Sequence, residues 1–392
     1  MQLYFFHLMP WPHIDPEVRE KYGSSWVVYP NSEYDPVEGS RLYNQYLDQL
    51  SFADQIGFDA VCVNEHHQNA YGLMPSPNIM AAALVSRTKQ ARIAILGNGV
   101  AMRRNPLRVA EEVAMLDVMS GGRVISGFVR GIGAEYHSLG LDPTTSRDRF
   151  FEAHDLIVKA WTTPGPFEWD GRFFHYRYVN VWPRPLTQPH PPIFVPSQGS
   201  DETLEWAAQH RYPLACTFVP MERLKAFYDR YRSFASEQFG YDAGPEQFGF
   251  TSLIHVDTDE KKAQAAVEPH VRYFIERCFV LPLPIFFPPG YTDAGSYRRR
   301  VTIAREVAAS GGPTLNAGAP LIGTPEQVGE RLVANLAEAG AGTLLAQFQV
   351  GDMPHDKVMR SMELFADKVL PYLPREPRAA GAAGSAGISP PA

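Results

Sequence analysis

The chain has 392 residues, of which 45% are hydrophobic and 20% charged, and its formal net charge is −7 at pH 7. This composition is typical of a globular chain that buries a sizeable core in one large domain or two moderate ones. The acidic balance argues against nucleic acid and anionic membranes as partners, because both require a basic surface. We therefore expect a small-molecule ligand.

The three cysteines, Cys62, Cys216 and Cys278, are too few and too scattered for a disulfide framework, and no Cys-x-x-Cys pair indicates zinc. The N-terminal residues lack a basic leader and a cleavable apolar run, and no apolar stretch has the length of about 18 residues that a membrane span needs. We expect a cytoplasmic protein with no metal.

Short β-branched or aromatic runs alternate with stretches of helical periodicity, which indicates repeated βα units. Eight strands are predicted, over residues 3–6, 60–64, 92–96, 124–128, 193–195, 214–217, 251–256 and 343–348. The helices predicted between them cover residues 39–56, 106–119, 147–161, 201–210, 221–238 and 325–339. Asn105 and Thr324, each before a proline, are predicted N-caps, and Gly57, Gly121 and Gly340 are predicted left-handed C-terminal residues.

This element order predicts an α/β fold, a (β/α)8 TIM barrel, with a doubly wound sheet as the alternative. The barrel domain is predicted over residues 1–374, with insertions at about 164–191 and 267–320, after the fourth and seventh strands. Residues 279–289 are rich in aromatics and proline, and form either a lid or a rigid surface elaboration. Residues 375–392 are mostly Ala, Gly, Ser and Pro, and we expect them to be disordered.

The active site of such a barrel lies at the C-terminal ends of its strands, so position ranks the polar residues. Those that follow a predicted strand are His7, Asn64, Glu65, His66, His67, Asn98, Arg130, the run Ser197 to Ser200, and Gln347 or Gln349. We expect them to converge on one mouth.

The run Glu65-His66-His67 carries the candidate acid–base chemistry. Adjacent histidines on an extended segment point to opposite sides and no third ligand is suitably spaced, which argues against a metal. We expect one imidazole to donate or accept a proton while Glu65 and the other histidine hold neighbouring loops, and a wholly structural cluster is the alternative. A Glu65–Glu135 carboxylate pair, as in a glycoside hydrolase, also stays open, because the sequence does not fix their separation.

Two segments have chemistry suited to an anion. Residues 127–133 combine glycines, backbone N–H groups and Arg130 directly after a strand. Ser197-Gln198-Gly199-Ser200 leads into the predicted helix that contains Thr203, whose N-terminal N–H groups face outward. The alternatives are a tight turn with a solvated arginine and simple N-capping by Ser200.

Six stretches, in order along most of the chain, resemble the luciferase-like flavin monooxygenases. They are residues 52–59 with Glu65-His66-His67, and residues 108–123, 128–131, 205–208, 322–326 and 370–373. The resemblance implies a barrel that binds FMN, received in reduced form from a flavin reductase that is a transient partner. It further implies that O2 forms a flavin C4a-hydroperoxide, which oxygenates a small organic substrate.

The resemblance also assigns residues to roles. His66 matches the family's catalytic histidine, and Glu65 and Asn98 complete the predicted catalytic set. The predicted cofactor-binding residues are Gly97, Asn98, Arg130, Ile132, Arg147, Gly199, Ser200 and Thr203. The dipeptide Gly97-Asn98 matches a non-prolyl cis peptide that lies against the flavin ring in relatives.

Two departures from the light-emitting members concern residues beside the flavin. Val129 stands where those members have a cysteine, and Phe218 where they have a tryptophan, which argues against light emission but not against oxygenation. Relatives pair along barrel helices, which makes a homodimer the default. A deazaflavin-dependent hydride-transfer enzyme and a non-catalytic flavin-binding subunit are the alternative functions.

Overall fold

The protein is described here from a computed structural model that covers residues 1–295, 297–298, 301–302, 305 and 319–375. Its strands are β1 (Gln2–Phe6), β2 (Ala60–Val63), β3 (Arg92–Gly99), β4 (Val124–Val129), β5 (Phe167–Asp170), β6 (His175–Val179), β7 (Ile193–Ser197), β8 (Leu214–Cys216), β9 (Phe248–Val256), β10 (Leu321–Gly323) and β11 (Thr343–Gln347).

Eight of these strands close into a parallel barrel. The order β11-β1-β2-β3-β4-β7-β8-β9 is closed because β9 pairs with both β8 and β11. All eight predicted strands are present in it, so the predicted TIM barrel is confirmed and the doubly wound sheet is wrong. The sequence did not predict β10, which pairs with β9 outside the barrel, or the antiparallel β5–β6 hairpin.

The helices surround the barrel. They are α1 (Val18–Tyr22), α2 (Pro36–Gln55), α3 (Pro77–Arg87), α4 (Leu107–Ser120), α5 (Gly133–Leu139), α6 (Ser146–Thr162), α7 (Asp201–Gln209), α8 (Met221–Glu237), α9 (Glu260–Tyr273), α10 (Leu283–Phe286), α11 (Pro325–Ala339) and α12 (His355–Lys368). The six predicted helices correspond to α2, α4, α6, α7, α8 and α11. Within the described ranges, no helix is both long and apolar enough to cross a membrane.

The predicted caps were partly right. The Thr324 hydroxyl accepts a hydrogen bond from the N–H of Gln327, and the side-chain oxygen of Gln327 accepts one from the N–H of Thr324. Gly121 and Gly340 have the predicted positive φ, 69° and 61°. The prediction for Asn105 was wrong, because Pro106 occupies the N-cap position of α4 and the Asn105 side chain accepts from the hydroxyl of Tyr176 instead.

Strands β3 and β4 approach so closely that side chains are excluded between them. A Cβ atom on Gly97 would lie 2.6 Å from the carbonyl carbon of Gly127, and one on Gly127 would lie 2.3 Å from the carbonyl oxygen of Ile95. The expected non-prolyl cis peptide joins Leu96 to Gly97, one bond earlier than predicted. It falls where the β3–β4 register shifts between Ile95 and Asn98, a bulge that the sequence pattern does not show.

The two predicted insertions lie in different places. The β5–β6 hairpin packs on the outer side of α6, where the Glu152 carboxylate accepts hydrogen bonds from the N–H groups of Phe173 and Phe174. Residues 274–291, here called the mouth segment, pass over the C-terminal ends of the strands, since Phe274 contacts Tyr71 after β2 and Tyr291 contacts Arg130 after β4. Residues 296, 299–300, 303–304 and 306–318 of the second insertion, and 376–392 of the predicted disordered tail, lie outside the described residues.

All three cysteines are free and buried. Cys62 and Cys216 lie on barrel strands, and Cys278 lies in the mouth segment. Burial raises the pKa of all three thiols, that of Cys216 to about 12.

The capping box at Thr324 yields a stability prediction. Thr324→Ala should lower the free energy of unfolding by about 1 kcal/mol, because the Gln327 N–H loses its partner at the start of α11. The matched control is Ser236→Ala in α8, an exposed position whose hydroxyl contacts a carbonyl of its own helix and caps no backbone N–H. Urea titration of both variants measures the difference, and equal losses would contradict the capping role.

Candidate active site

His66 lies just beyond the end of β2 and is held by a buried carboxylate. Its Nδ1 atom is 2.9 Å from Oε1 of Glu135, and 20% of the His66 side chain is exposed against 1% for Glu135. The second oxygen of Glu135 accepts from the N–H of Ile132 at 2.8 Å. With the carboxylate ionised, Nδ1 is the donor and Nε2 is the basic nitrogen, which suits proton transfer.

Both carboxylate oxygens of Glu65 are hydrogen-bonded to neighbouring protein groups. Its side chain is fully buried, and one oxygen accepts from Arg103 at 2.6 Å and from the N–H of Gly99 at 3.0 Å. The other oxygen bonds to Nε2 of His67 at 2.7 Å. These contacts give Glu65 and His67 the loop-holding role that the sequence allowed, and they fix the chain after β3 beside His66.

The two glutamates do not form the open carboxylate pair of a glycoside hydrolase. All four carboxylate oxygens of Glu65 and Glu135 bond to protein groups, and both residues are buried. A glycoside hydrolase needs one free acid and one free base facing the sugar. The structure therefore does not support that alternative.

The first anion segment lies after β4. Arg130 is half-buried, and its guanidinium donates to the carbonyl oxygen of Tyr291 at 3.2 Å. Gly131 has a φ of +85°, a conformation that glycine adopts without strain. Ile132 precedes α5 and gives its N–H to Glu135, so this predicted cofactor residue belongs to the frame that holds His66.

The second anion segment is the N-terminus of α7. Gly199 has a φ of +78°, and a Cβ there would lie 2.3 Å from the ring of Phe227. Ser200 and Thr203 share a hydrogen bond of 2.9 Å between their hydroxyl oxygens. The first turn of the helix thus combines N–H groups with two hydroxyls, a combination that binds anions.

The two anion segments lie close together, as the charged groups around Glu202 indicate. Arg147 binds the carboxylate of Glu202, with an N–O distance of 2.7 Å, in the first turn of α7. Burial acts to raise the pKa of this carboxyl, but the hydrogen bond from Arg147 and the charge of Arg130 outweigh it, so the pKa is lowered. Arg147 and, more remotely, Arg130 therefore lie near the first turn of α7, where the Glu202 carboxylate offsets part of their positive charge.

Two asparagines near the mouth have no protein partners for their side chains. Asn98, on β3, and Asn64, after β2, are buried, and neither the nitrogen nor the oxygen of either amide is hydrogen-bonded within the described structure. An unpaired buried polar group costs roughly 1–3 kcal/mol. These amides are therefore candidates for binding a ligand, as predicted for Asn98, whereas Asn64 was noted only by position.

Three other residues ranked by position belong to a buried network instead. His7 bonds to Gln49 through Nε2 at 2.8 Å, and Gln49 donates to Gln349 at 3.1 Å. Burial lowers the pKa of His7 to about 4. Gln347 is also buried and donates to the carbonyl of Gln349. The positional rule overpredicts here, because the packing of α2 against the barrel covers the end of β1.

One possible metal-ligand group exists in the described part of the chain. His154, Asp155 and His210 have ligand atoms within 4.8 Å of one another. Both nitrogens of His154 are already used, one by Asp155 and one by the Tyr212 hydroxyl, each at 2.9 Å. This cluster holds α6 against the chain after α7.

The sequence missed two features of the site. The sequence presents Glu135 only as half of a possible carboxylate pair, although its position just after the Gly131-Ile132-Gly133 turn is a signal that it faces the mouth. Trp26 packs edge-on against His66, with ring centroids 5.4 Å apart, and lies in a segment without periodicity. No local pattern identifies it, since the contact spans forty residues of chain.

The anchoring of Glu65 yields a second prediction. Glu65→Gln should destabilise the fold by roughly 3 kcal/mol, because it leaves Arg103 without its buried anionic partner. Adding Arg103→Met should recover part of this loss. As a control, Arg87→Met breaks the exposed Arg87–Asp48 pair and should cost less than about 1 kcal/mol. Chemical denaturation measures the wild type, these three variants and the single Arg103→Met variant, and strict additivity of the two mouth substitutions would argue against the pairing.

Known proteins share this architecture, and some are similar in sequence over most of the chain. The chain is 26% identical over 362 residues to an alkanal monooxygenase alpha chain of Photorhabdus luminescens, covering 90% of this chain and 97% of that relative. Its fold is similar to the oxygenating constituent of 3,6-diketocamphane monooxygenase from the CAM plasmid of Pseudomonas putida, in complex with FMN, with a TM-score of 0.72, 18% identity and coverage of 96% and 100%.

Similarity of fold does not establish which cofactor this chain binds. An F420-dependent secondary alcohol dehydrogenase is also similar, with a TM-score of 0.65, 19% identity and coverage of 94% and 98%. The family model described as luciferase-like monooxygenase matches residues 26–343, most of the chain. The chain therefore belongs to the luciferase-like monooxygenase family.

Proposed function

We propose that this protein is a flavin-dependent monooxygenase that uses reduced FMN and O2 to oxygenate a small organic substrate. The observation that carries the proposal is the short connection between the anion site and the proton site. Residues 130–135 include both Arg130 and Glu135, and Glu135 holds His66 at 2.9 Å. One loop thus fixes a phosphate-binding cation and a histidine at the same mouth.

The residues present fit FMN. Its phosphate would be held by Arg130, Arg147 and the N-terminus of α7 with Ser200 and Thr203. The flavin ring carries hydrogen-bond donors and acceptors, which the unpaired amides of Asn98 and Asn64 would meet. Gly97 and Gly127 place no side chain between β3 and β4, so the two strands pack closely on each other next to Asn98.

His66 is the proton-handling residue of the proposed mechanism. Bound reduced FMN would supply the electrons that activate O2. The Nε2 atom of His66 takes up or returns a proton during oxygenation, while Glu135 stabilises the charged imidazole through Nδ1. Because the N–H of Ile132 binds the other oxygen of Glu135, the imidazole keeps one orientation throughout.

Aromatic side chains surround His66 and leave 20% of its side chain exposed. Trp26 and Tyr71 pack edge-on against its ring, at centroid distances of 5.4 and 5.2 Å. Phe274 and Phe279 of the mouth segment contact Tyr71 from above, at 5.5 and 6.0 Å. Water exclusion favours transfer of oxygen to the substrate over release of peroxide. This placement supports the interpretation of the mouth segment as a lid.

The alternatives make different use of the same fold. A deazaflavin enzyme would transfer hydride without O2, and the similar F420-dependent structure keeps that function as the second candidate. A non-catalytic flavin-binding subunit would not need the buried Glu135–His66 pair. A separate reductase is proposed because the similar Pseudomonas putida protein is described as an oxygenating constituent.

Rapid mixing with O2 tests the proposal. The protein is first titrated with reduced FMN in the absence of O2, and in parallel with reduced F420. With FMN we expect a near-ultraviolet absorbance phase, distinct from oxidised and reduced flavin, that outlasts reoxidation of free FMN by at least about tenfold. Tight binding of F420 with no O2-dependent phase for FMN would instead establish the hydride-transfer alternative.

His66 yields a third prediction. His66→Ala should lower the rate of product formation by about 10²- to 10⁴-fold, the contribution of a general acid or base, while the FMN dissociation constant changes less than about twofold. The substrate used is one found by screening aldehydes, cyclic ketones and aromatic amines for O2-dependent loss. The control is His175→Ala, an exposed histidine paired with Asp170 on the hairpin. Full activity of the His66 variant would remove it from the mechanism.

We also propose a homodimer formed through α3 and α4. These neighbouring helices expose large apolar side chains, with Ile79 70%, Met115 54%, Val118 45% and Met119 50% accessible. Such a patch on adjacent helices is typical of a protein–protein interface. A second copy with the same patch would cover it in a two-fold arrangement.

Sedimentation equilibrium checks the dimer. The protein should sediment at about twice the chain mass of 43.8 kDa. Met115→Glu combined with Val118→Glu should shift it to the monomer, because each charge would be buried unpaired in the interface. Val333→Glu, an exposed apolar position on α11, is the matched control and should stay dimeric. A wild-type protein that remains monomeric at micromolar concentration would refute the interface.

A further inference from the structure

Tyr291 of the mouth segment makes three contacts with the anion site. The guanidinium carbon of Arg130 lies 4.0 Å from the centre of its ring. Its carbonyl oxygen accepts a hydrogen bond from Nη1 of Arg130 at 3.2 Å. Its hydroxyl donates a short hydrogen bond to the carbonyl oxygen of Gly131. Tyr291 therefore contacts residues 130 and 131 through its ring, its backbone and its hydroxyl.

The contact with the Tyr291 ring leaves N–H donors at the edge of the Arg130 guanidinium accessible. A guanidinium carries its N–H donors in its plane, while an aromatic ring stacks on its face. Tyr291 covers the face and uses one Nη1 hydrogen bond, so other in-plane N–H groups stay available for a bidentate contact with an anion. A long, flexible side chain is thereby restricted to one orientation before an anion arrives.

The backbone on both sides of this contact is seated by glycines. A Cβ on Gly133 would lie 2.1 Å from Cδ of Pro288, and one on Gly290 would lie 2.4 Å from Cγ2 of Thr144. The hydroxyl of Tyr136 also donates to the carbonyl oxygen of Arg130. The mouth segment is thus packed directly on the loop between β4 and α5, with Tyr291 at the contact.

We propose that Tyr291 is a positioning residue, which orients Arg130 for the cofactor's phosphate and couples phosphate binding to the seating of the mouth segment. The inference rests on the proposed function only in giving the phosphate to Arg130. Because Arg130 takes part in both contacts, a phosphate that favours its seated orientation must also favour the seated mouth segment. The phosphate end of the cofactor would then promote closure over the reacting end.

Comparison of FMN with riboflavin isolates the phosphate, since the two ligands differ only there. Tyr291→Leu should weaken FMN binding by about 3- to 10-fold, the effect expected of a lost cation–π contact, and should change riboflavin binding less than about twofold. Tyr291→Phe keeps the ring and should lose less than Tyr291→Leu. The control is Tyr178→Leu, which removes the Arg177–Tyr178 contact on β6 and should change neither affinity.

Arg130→Ala separates this inference from the proposed function. It should remove most of the preference for FMN over riboflavin, and adding Tyr291→Leu should then cost little more. Unchanged FMN affinity in Arg130→Ala would overturn the phosphate site itself. If Arg130→Ala weakens FMN binding but Tyr291→Leu does not, or weakens riboflavin equally, the phosphate site stands and the positioning role is overturned.

Hydrogen exchange supplies a readout that does not depend on affinity. In the wild-type protein, FMN should slow exchange in residues 283–291 more than saturating riboflavin does. In Arg130→Ala the two flavins should protect this stretch equally. Equal protection by both ligands in the wild type would overturn the coupling even if Tyr291 contributes to FMN binding.

Discussion

The arrangement of the site depends on the two hydrogen bonds that the buried carboxylate of Glu135 makes. One of its oxygens binds His66 and the other binds the backbone of Ile132, so the loop after β4 and the loop after β2 are held in one geometry. The negative charge is buried at a cost that the two hydrogen bonds offset. A loop fixed in this way also fixes Arg130, whose backbone oxygen is bound by Tyr136 of α5. The proposed proton site at His66 and the proposed anion site at Arg130 are therefore held by the same loop.

Much of the fold was predictable because barrel strands carry a strong local signal. Runs such as residues 60–64 and 124–128 are apolar on both faces, since one face meets the barrel interior and the other meets the helices. Helix α3 was missed because its small and apolar residues show little contrast between faces, and β10 because three residues are too few for a period. The mouth segment was located by its composition, but its path over the strands follows from tertiary contacts.

The sequence predicted where the candidate site lies better than it predicted which of its residues contact each other. His66, Arg130 and Ser200 were found because parallel strands place their C-terminal ends together. That rule also selected His7, which packing against α2 buries in a core network. The pairing of His66 with Glu135 joins residues 69 positions apart, and no spacing rule reports such a contact. The same holds for Tyr291 and Arg130, which the fold alone brings together.

The burial of all three cysteines has a consequence for the protein's chemical endurance. A thiol reacts with peroxide through its thiolate form, so a raised pKa and exclusion of solvent both slow oxidation to sulfenic acid and beyond. The proposed reaction with reduced flavin and O2 would produce peroxide at the mouth of the barrel whenever a turnover fails. Cys278 lies in the segment that covers that mouth, yet it is fully buried. The chain thus keeps its thiols protonated and shielded from solvent. Loss of the mouth segment's packing would expose Cys278 to oxidation by that peroxide.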